Sequence, residues 1–147
     1  MSEDVKCRDI MSAPPVTASV FTTAEEAAQI MVNRKVGSLI IVDDKGGLLG
    51  IVTKTDLVRG VVAKGLPPNT VKLGDIMSRD PYYVTTEDSV RYAAELMGYH
   101  GIGHLPVVDM ESGKVVGVIS MRDIIRLAPH FIELVYLYKS REEEQGL

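Results

Sequence analysis

Cysteine occurs once in the 147-residue chain and tryptophan not at all. With Cys7 alone, no intrachain disulfide can form, so a reducing, cytoplasmic setting is expected. No apolar stretch approaches the about 20 residues that cross a bilayer, which argues against a membrane partner. The opening residues, Met1 to Met11, lack the basic start and apolar run of a secretory signal. A basic excess is also missing. Sixteen Lys and Arg stand against 20 Asp and Glu, a formal net charge of −4, and a nucleic-acid partner would need a concentrated basic surface. Low-complexity sequence is confined to the short run Arg141 to Gln145.

What is present is a globular composition, 46% hydrophobic and 24% charged, in a chain long enough to bury most of its apolar surface without staples. The chain also repeats itself. "VKCRDIMS" at Val5 to Ser12 returns as "VKLGDIMS" at Val71 to Ser78, and "AAQIM" at Ala27 to Met31 returns as "AAELM" at Ala93 to Met97. "VGSLIIVDD" at Val36 to Asp44 returns as "IGHLPVVDM" at Ile102 to Met110. "GIVTKTDLVRG" from Gly50 to Gly60 returns as "GVISMRDIIRL" from Gly117 to Leu127. Self-similarity at a fixed period marks a structural unit used twice. Residues 5–66 form the first copy and 71–128 the second, joined by Ala63 to Thr70, whose Gly-Leu-Pro-Pro cannot continue a helix.

Each copy reads as β-α-β-β-α. In the first, Pro15 to Thr17 is short and extended. Thr22 to Lys35 carries Ala24, Ala27, Ala28 and Met31 at helical spacing, behind a threonine three residues before a glutamate. Two β-branched strands around Lys45-Gly46-Gly47 read as a hairpin, and a second helix runs from Thr53 to about Ala63. In the second copy Val90, Ala93, Ala94 and Met97 take the helical stripe, and Asp123 opens the last helix. The fold class expected is α+β, with two repeats packed sheet to sheet in pseudo-twofold symmetry, because a unit of about 60 residues buries only a modest fraction of its surface alone.

The segments Thr53-Lys54-Thr55-Asp56 and Ser120-Met121-Arg122-Asp123 each precede an apolar run. The plain reading is a helix N-terminal box: the hydroxyl caps a backbone N–H, and the carboxylate lies near the positive end of the helix dipole. A second reading concerns a ligand. Each box follows an apolar strand with a glycine three residues before the hydroxyl, and a carboxylate there can accept two hydrogen bonds from a ribose diol. Exposed N–H groups beside it suit an anion.

These residues resemble a tandem pair of CBS (cystathionine-β-synthase-like) domains, a Bateman module, over about residues 5 to 128. The resemblance is carried by "DIM" at Asp9 to Met11 and Asp75 to Met77, and by "LPVVD" at Leu105 to Asp109 with the variant "LIIVD" at Leu39 to Asp43. The two glycine–hydroxyl–aspartate segments complete it. It implies a regulatory protein, not an enzyme, that binds AMP, ADP, ATP or S-adenosylmethionine in clefts between the repeats, with AMP the leading ligand and no cofactor required. In one site Asp56 would hold the ribose, with Thr53, Lys54 and Thr55 beside the phosphate and Tyr83, Val84, Gly103 and His104 opposite. In the other, Ser120, Met121, Arg122 and Asp123 would face Val16, Thr17, Gly37 and Ser38. Ile51, Val118, Met11 and Met77 would flank the adenine. Arg122 offers a bidentate phosphate partner that the Asp56 site lacks, although Lys54 and His104 could serve there. The first copy departs from the family in carrying Ile40 where the second has Pro106. The family also implies a homodimer and a regulated protein partner.

No metal or catalytic constellation stands out. His100 and His104 are separated by glycines and lack a completing ligand set. Ser120 has no histidine–carboxylate arrangement beside it. Cys7 sits near an N-terminus expected to be flexible. The methionines at 11, 31, 77 and 97 are core residues by default. Residues 129–147 form a C-terminal extension in which Phe131, Leu134, Val135 and Tyr138 make an apolar stripe, suited to a covering helix or a subunit interface. The alternatives to an adenosine-nucleotide sensor are an S-adenosylmethionine module, or an interaction domain whose pockets have decayed.

Overall fold

A computed structural model of the protein describes residues 5–134. In chain order its elements are helix α1 (Cys7–Ile10), strand β1 (Thr17–Ala18), helix α2 (Ala24–Arg34) and strands β2 (Ser38–Val42) and β3 (Leu48–Thr53). Helix α3 (Lys54–Leu57) continues as a π-helical turn (Val58–Val62), and α4 (Leu73–Ile76), β4 (Ser78–Arg79) and β5 (Val84–Thr85) follow. Helix α5 (Val90–His100), strands β6 (His104–Val108) and β7 (Val115–Ser120), helix α6 (Met121–Leu127) and a 3₁₀ turn (Pro129–Phe131) complete the described chain. The fold is α+β, and β-α-β-β-α occurs twice.

The chain divides into two compact units. The central unit is Pro15–Pro81. The split unit combines the segment before Pro15 with the chain from Tyr82 onward. These units cut the chain differently from the sequence repeats at 5–66 and 71–128, because each "DIMS" segment packs with the other copy. Cys7 and Ile10 enter the core of the split unit beside Val90 and Met97, while Leu73 fills the corresponding place in the central core beside Ala27 and Met31. Backbone pairing fixes the exchange. The Cys7 N–H donates to Asp88 O at 2.8 Å and the Val90 N–H to Val5 O at 3.0 Å, while the Leu73 N–H donates to Thr22 O and the Ala24 N–H to Val71 O, both at 2.8 Å.

Within the central unit four strands pair in the order β1-β2-β3-β4, with β1 parallel to β2 and the others antiparallel. Leu39, Ile41 and Val52 meet Ala27 and Met31 of α2 in the core. Ala28, at helical spacing in the sequence, is exposed on the outer side of α2, whereas its counterpart Ala94 is buried. The helix starts where the Thr23 hydroxyl accepts from the Glu26 N–H at 3.1 Å. It stops at Lys35, in the left-handed region at φ 54°.

The split unit has three strands in the order β5-β6-β7, and Ser12 bridges the free side of β7 at Val118. Leu105, Val107 and Ile119 pack against Ala93 and Met97 of α5. Phe131 is 3% exposed in this core and Leu134 packs partly against it, so the extension begins as an intramolecular cover. Val135 to Tyr138 lie outside the described residues. Cys7 is likewise a core residue and not part of a loose terminus. Its apolar surroundings, with the Asp88 charge adding to them, push the thiol up to about 12.

Each hairpin closes on an acidic turn. Asp43 Oδ1 accepts the N–H groups of Lys45 and Gly47 at 2.9 and 2.8 Å, and these bonds hold its carboxyl below the usual range. In the second hairpin the Ser112 hydroxyl donates to Asp109 at 2.7 Å with the same effect on that carboxyl. Each turn carries a glycine in the left-handed region, Gly46 at φ 86° and Gly113 at φ 74°, although the second turn is one residue longer.

Candidate functional site

The hairpins bring chemistry to one end of each sheet. In the central unit Ser38 at the start of β2 lies opposite Thr53 at the end of β3, and the Lys54 N–H donates to Gly37 O at 3.2 Å. Thr17 of β1 runs alongside, paired with Ile40. Val16, Thr17, Gly37, Ser38, Thr53, Lys54, Thr55 and Asp56 therefore gather at one edge. The split unit repeats the arrangement. His104 lies opposite Ser120, the Met121 N–H donates to Gly103 O at 2.9 Å, and β5 brings Tyr83 and Val84 next to β6. Each of the two sets expected from the sequence draws four residues from either unit.

Both glycine–hydroxyl–aspartate segments form complete capping boxes. Asp56 Oδ2 accepts the Thr53 N–H at 2.8 Å and its hydroxyl at 3.2 Å. In return the Thr53 oxygen accepts the Asp56 N–H at 3.4 Å. Asp123 Oδ2 accepts the Ser120 N–H at 2.8 Å, and Ser120 Oγ accepts the Asp123 N–H at 3.1 Å. The helix-starting role is thus filled in both copies, and it occupies one oxygen of each carboxylate.

The other oxygens differ. Asp56 is half-buried, and its Oδ1 has no partner among the described residues. Asp123 is 5% exposed. Its Oδ1 accepts from the Ser12 hydroxyl at 3.5 Å and lies 3.9 Å from the Arg126 guanidinium. Arg122 is exposed and forms no ion pair among the described residues, and Lys54 and Thr55 are also exposed. The cations beside both carboxylates therefore remain available to an anion.

The motif glycine is explained by packing. A Cβ built on Gly117 would stand 2.5 Å from Met11 Sδ, and one on Gly50 2.6 Å from Met77 Sδ. The "DIM" methionine thus lies directly on the glycine of its partner strand. Met11 and Met77 are partly buried, beside Val118 and the buried Ile51 of the same strands. Ser12, whose hydroxyl meets Asp123, is the neighbour of the candidate site that sequence reasoning missed. The signal was there, since serine follows "DIM" in both copies, but nothing in the sequence says that only one of them reaches its aspartate.

Among the described residues no cluster of three or more His, Cys, Asp or Glu side chains is grouped to hold a metal ion. The His100 ring stacks on Tyr82 at a centroid distance of 3.8 Å and meets the edge of Tyr99 at 4.9 Å. No described helix is long and apolar enough to cross a membrane.

Three comparisons with known proteins complete the picture. The family model of the CBS domain matches residues 7–63 and 73–130. A curated relative, the uncharacterized protein MK0525 of Methanopyrus kandleri, is 36% identical over 132 residues, which cover 90% of this chain. Hypoxic response protein 1 of Mycobacterium tuberculosis is 33% identical over 122 residues, 83% of this chain and 84% of that protein. This chain spans 64% of the length of MK0525, and 22% and 17% of two further curated relatives. Among solved structures, the CBS domain pair of protein MJ0100, in complex with 5′-methylthioadenosine and S-adenosyl-L-methionine, matches with a TM-score of 0.77 and 32% identity. That match covers 86% of this chain and 97% of the other.

Proposed function

The chain belongs to the CBS domain family, and we propose that it is a regulatory module that binds an adenosine-containing small molecule. The observation that carries this reading is the Asp56 carboxylate. It stands at a strand end with one oxygen used by its own helix and the other uncommitted. An ionised acceptor in that position suits a ribose hydroxyl, and a hydrogen bond to a charged group contributes about 1.5–3 kcal/mol. The MJ0100 pair, similar to this chain over most of its length, binds two ligands that share adenine and ribose.

The nucleotides AMP, ADP and ATP are the first ligands in this reading, because exposed Lys54 and Arg122 stand next to the two carboxylates and can take a phosphate. S-adenosylmethionine is the second reading, and the MJ0100 complex favours it. Thr53, Lys54, Thr55 and Asp56, with Tyr83, Val84, Gly103 and His104, form one proposed set. Ser120, Met121, Arg122 and Asp123, with Val16, Thr17, Gly37 and Ser38, form the other. Met11 and Met77 flank the base. The module acts by binding and not by turnover, as a cytoplasmic homodimer that signals ligand level to a protein partner. Calorimetric titration with AMP, ADP, ATP, S-adenosylmethionine and 5′-methylthioadenosine tests it. Saturable uptake of at least one, weakened in Asp56→Asn or Asp123→Asn, is the expected result. No uptake of any at millimolar concentration rejects the proposal.

A further inference from the structure

The two carboxylates are formed by the same motif but are not in the same state. We infer that Ser12 decides the order in which they take ligand: its hydroxyl competes for the oxygen of Asp123 that a ribose would use, so the Asp56 set fills first. The inference rests on the reading of the site given above and deepens it.

The equivalent serines have equivalent backbones. Ser12 pairs with Val118, exchanging bonds of 2.9 and 3.0 Å, and Ser78 pairs with Ile51 in β4. Both lie on the edge of a motif strand, immediately after the methionine that covers the motif glycine. Their hydroxyls behave differently. Ser12 Oγ donates to Asp123 Oδ1 at 3.5 Å, with Arg126 completing that oxygen's surroundings at 3.9 Å. Ser78 is exposed and makes no hydrogen bond to Asp56.

The energetic consequence follows from exchange. A ribose hydroxyl reaching Asp56 Oδ1 displaces only water. One reaching Asp123 Oδ1 displaces the serine hydroxyl and enters a site where the carboxylate is 5% exposed. The bond is long for an O–H···O contact, so it is readily given up. Ser12 therefore weakens the second site without closing it. Sequence asymmetry points the other way, since Arg122 accompanies Asp123 and Thr55 accompanies Asp56. A ligand without phosphate separates the two effects.

The experiment is a calorimetric titration with 5′-methylthioadenosine, which presents ribose and adenine but no phosphate. The wild-type chain is compared with Ser12→Ala, Ser12→Thr, Ser78→Ala, Asp56→Asn and Asp123→Asn. Asparagine keeps an oxygen for the capping N–H and replaces the free acceptor by an amide. The expected result is a tighter class of site lost in Asp56→Asn and a weaker class lost in Asp123→Asn. Ser12→Ala then tightens the weaker class by about 2–3-fold, the low end for a hydrogen bond because the contact is long. Ser12→Thr, which keeps a hydroxyl, and Ser78→Ala leave both classes in place. A single wild-type class removed by Asp56→Asn, with a second class emerging in Ser12→Ala, is the same result at higher contrast. The inference is overturned if Ser12→Ala leaves the weaker class unchanged or weakens it, or if Asp123→Asn removes the tighter class. Should Asp123→Asn not fold, the contrast between Ser12→Ala and Ser12→Thr decides the matter. Absence of binding to the wild type sinks the functional reading itself, and the order with it. Binding that ignores Ser12 sinks the order alone.

Discussion

Replacing the motif glycine by alanine is a direct test of the packing that builds both units. At Gly50 the new methyl would stand 2.6 Å from Met77 Sδ and 2.8 Å from Ser78 O. At Gly117 it would stand 2.5 Å from Met11 Sδ and 3.0 Å from Ser12 O. Comfortable carbon contacts lie at about 3.5–4.0 Å, so each site is short by close to 1 Å. The thioether can swing away, because methionine is unbranched and adaptable. The carbonyl cannot, since it belongs to a backbone paired with the same strand. Overpacking of this kind costs about 1–3 kcal/mol. Gly50→Ala falls toward the upper end, because its fixed carbonyl is nearer and belongs to a strand of two paired residues. At about 2–4 °C per kcal/mol for a chain of this size, thermal denaturation followed by circular dichroism should show Gly50→Ala melting several degrees below wild type. Adding Met11→Ala to Gly117→Ala should cost less than the two changes summed, with a coupling of about 0.5 kcal/mol or more. A Gly50→Ala protein that melts with the wild type, or strict additivity at Met11 and Gly117, would refute the reasoning.

Other outcomes are equally specific. Lys35→Gly should stabilise the central unit by about 0.5–1 kcal/mol in chemical denaturation, because Lys35 ends α2 at φ 54° where Gly101 ends α5 at φ 67°. Cys7 should resist thiol reagents in the native protein at pH 8, its labelling rate rising with denaturant. Its folded-state value, raised from 9.0 to about 12, contributes stability that is present below pH 9 and lost as pH climbs from there toward 12. On the acid side Asp43, Asp109 and Glu87 have lowered folded-state values, the last through hydrogen bonds from Lys6 and Arg8. Their stabilisation is present above the ordinary values of 3.8 and 4.5 and disappears as pH falls below them. Denaturation followed from pH 6 to pH 2 should therefore show a shallower loss in a variant carrying Asp43→Asn, Glu87→Gln and Asp109→Asn.

Much of this architecture is legible from periodicity and punctuation. Thr23 and Glu26 announce the start of α2, Lys45-Gly46-Gly47 the first hairpin, and Ala93 and Met97 the face of α5. Local rules govern these features, so local sequence reveals them. The exchange of the two "DIMS" segments is not local. Val5 to Ser12 carries the same pattern as Val71 to Ser78, and both copies offer an apolar residue, Cys7 or Leu73, to fill the same cavity. Two near-identical segments fit two near-identical docking places in the same backbone register, Val5 against Val90 and Val71 against Ala24, so nothing in the local pattern tells which copy each segment joins. The site shows the same division. Asp56 and Asp123 stand out because a hydroxyl, an acid and a glycine recur together. The committed oxygen of Asp123 does not, because it depends on the rotamer of a serine far away in sequence. The role of Gly50 and Gly117 was hidden for a similar reason: a glycine required by a neighbour's side chain looks like any other glycine until the neighbour is known.

The central claim is that an aspartate carboxylate at a strand-to-helix junction holds a ribose. Dissociation constants for AMP and its 2′-deoxy and 3′-deoxy analogues, measured on the wild type and on Asp56→Asn, test it most directly. The account predicts that loss of a hydroxyl weakens wild-type binding about 10–150-fold, the worth of a hydrogen bond to a charged acceptor, and that the difference shrinks in Asp56→Asn. Equal affinity for AMP and both deoxy analogues, or a difference that survives Asp56→Asn undiminished, would contradict it.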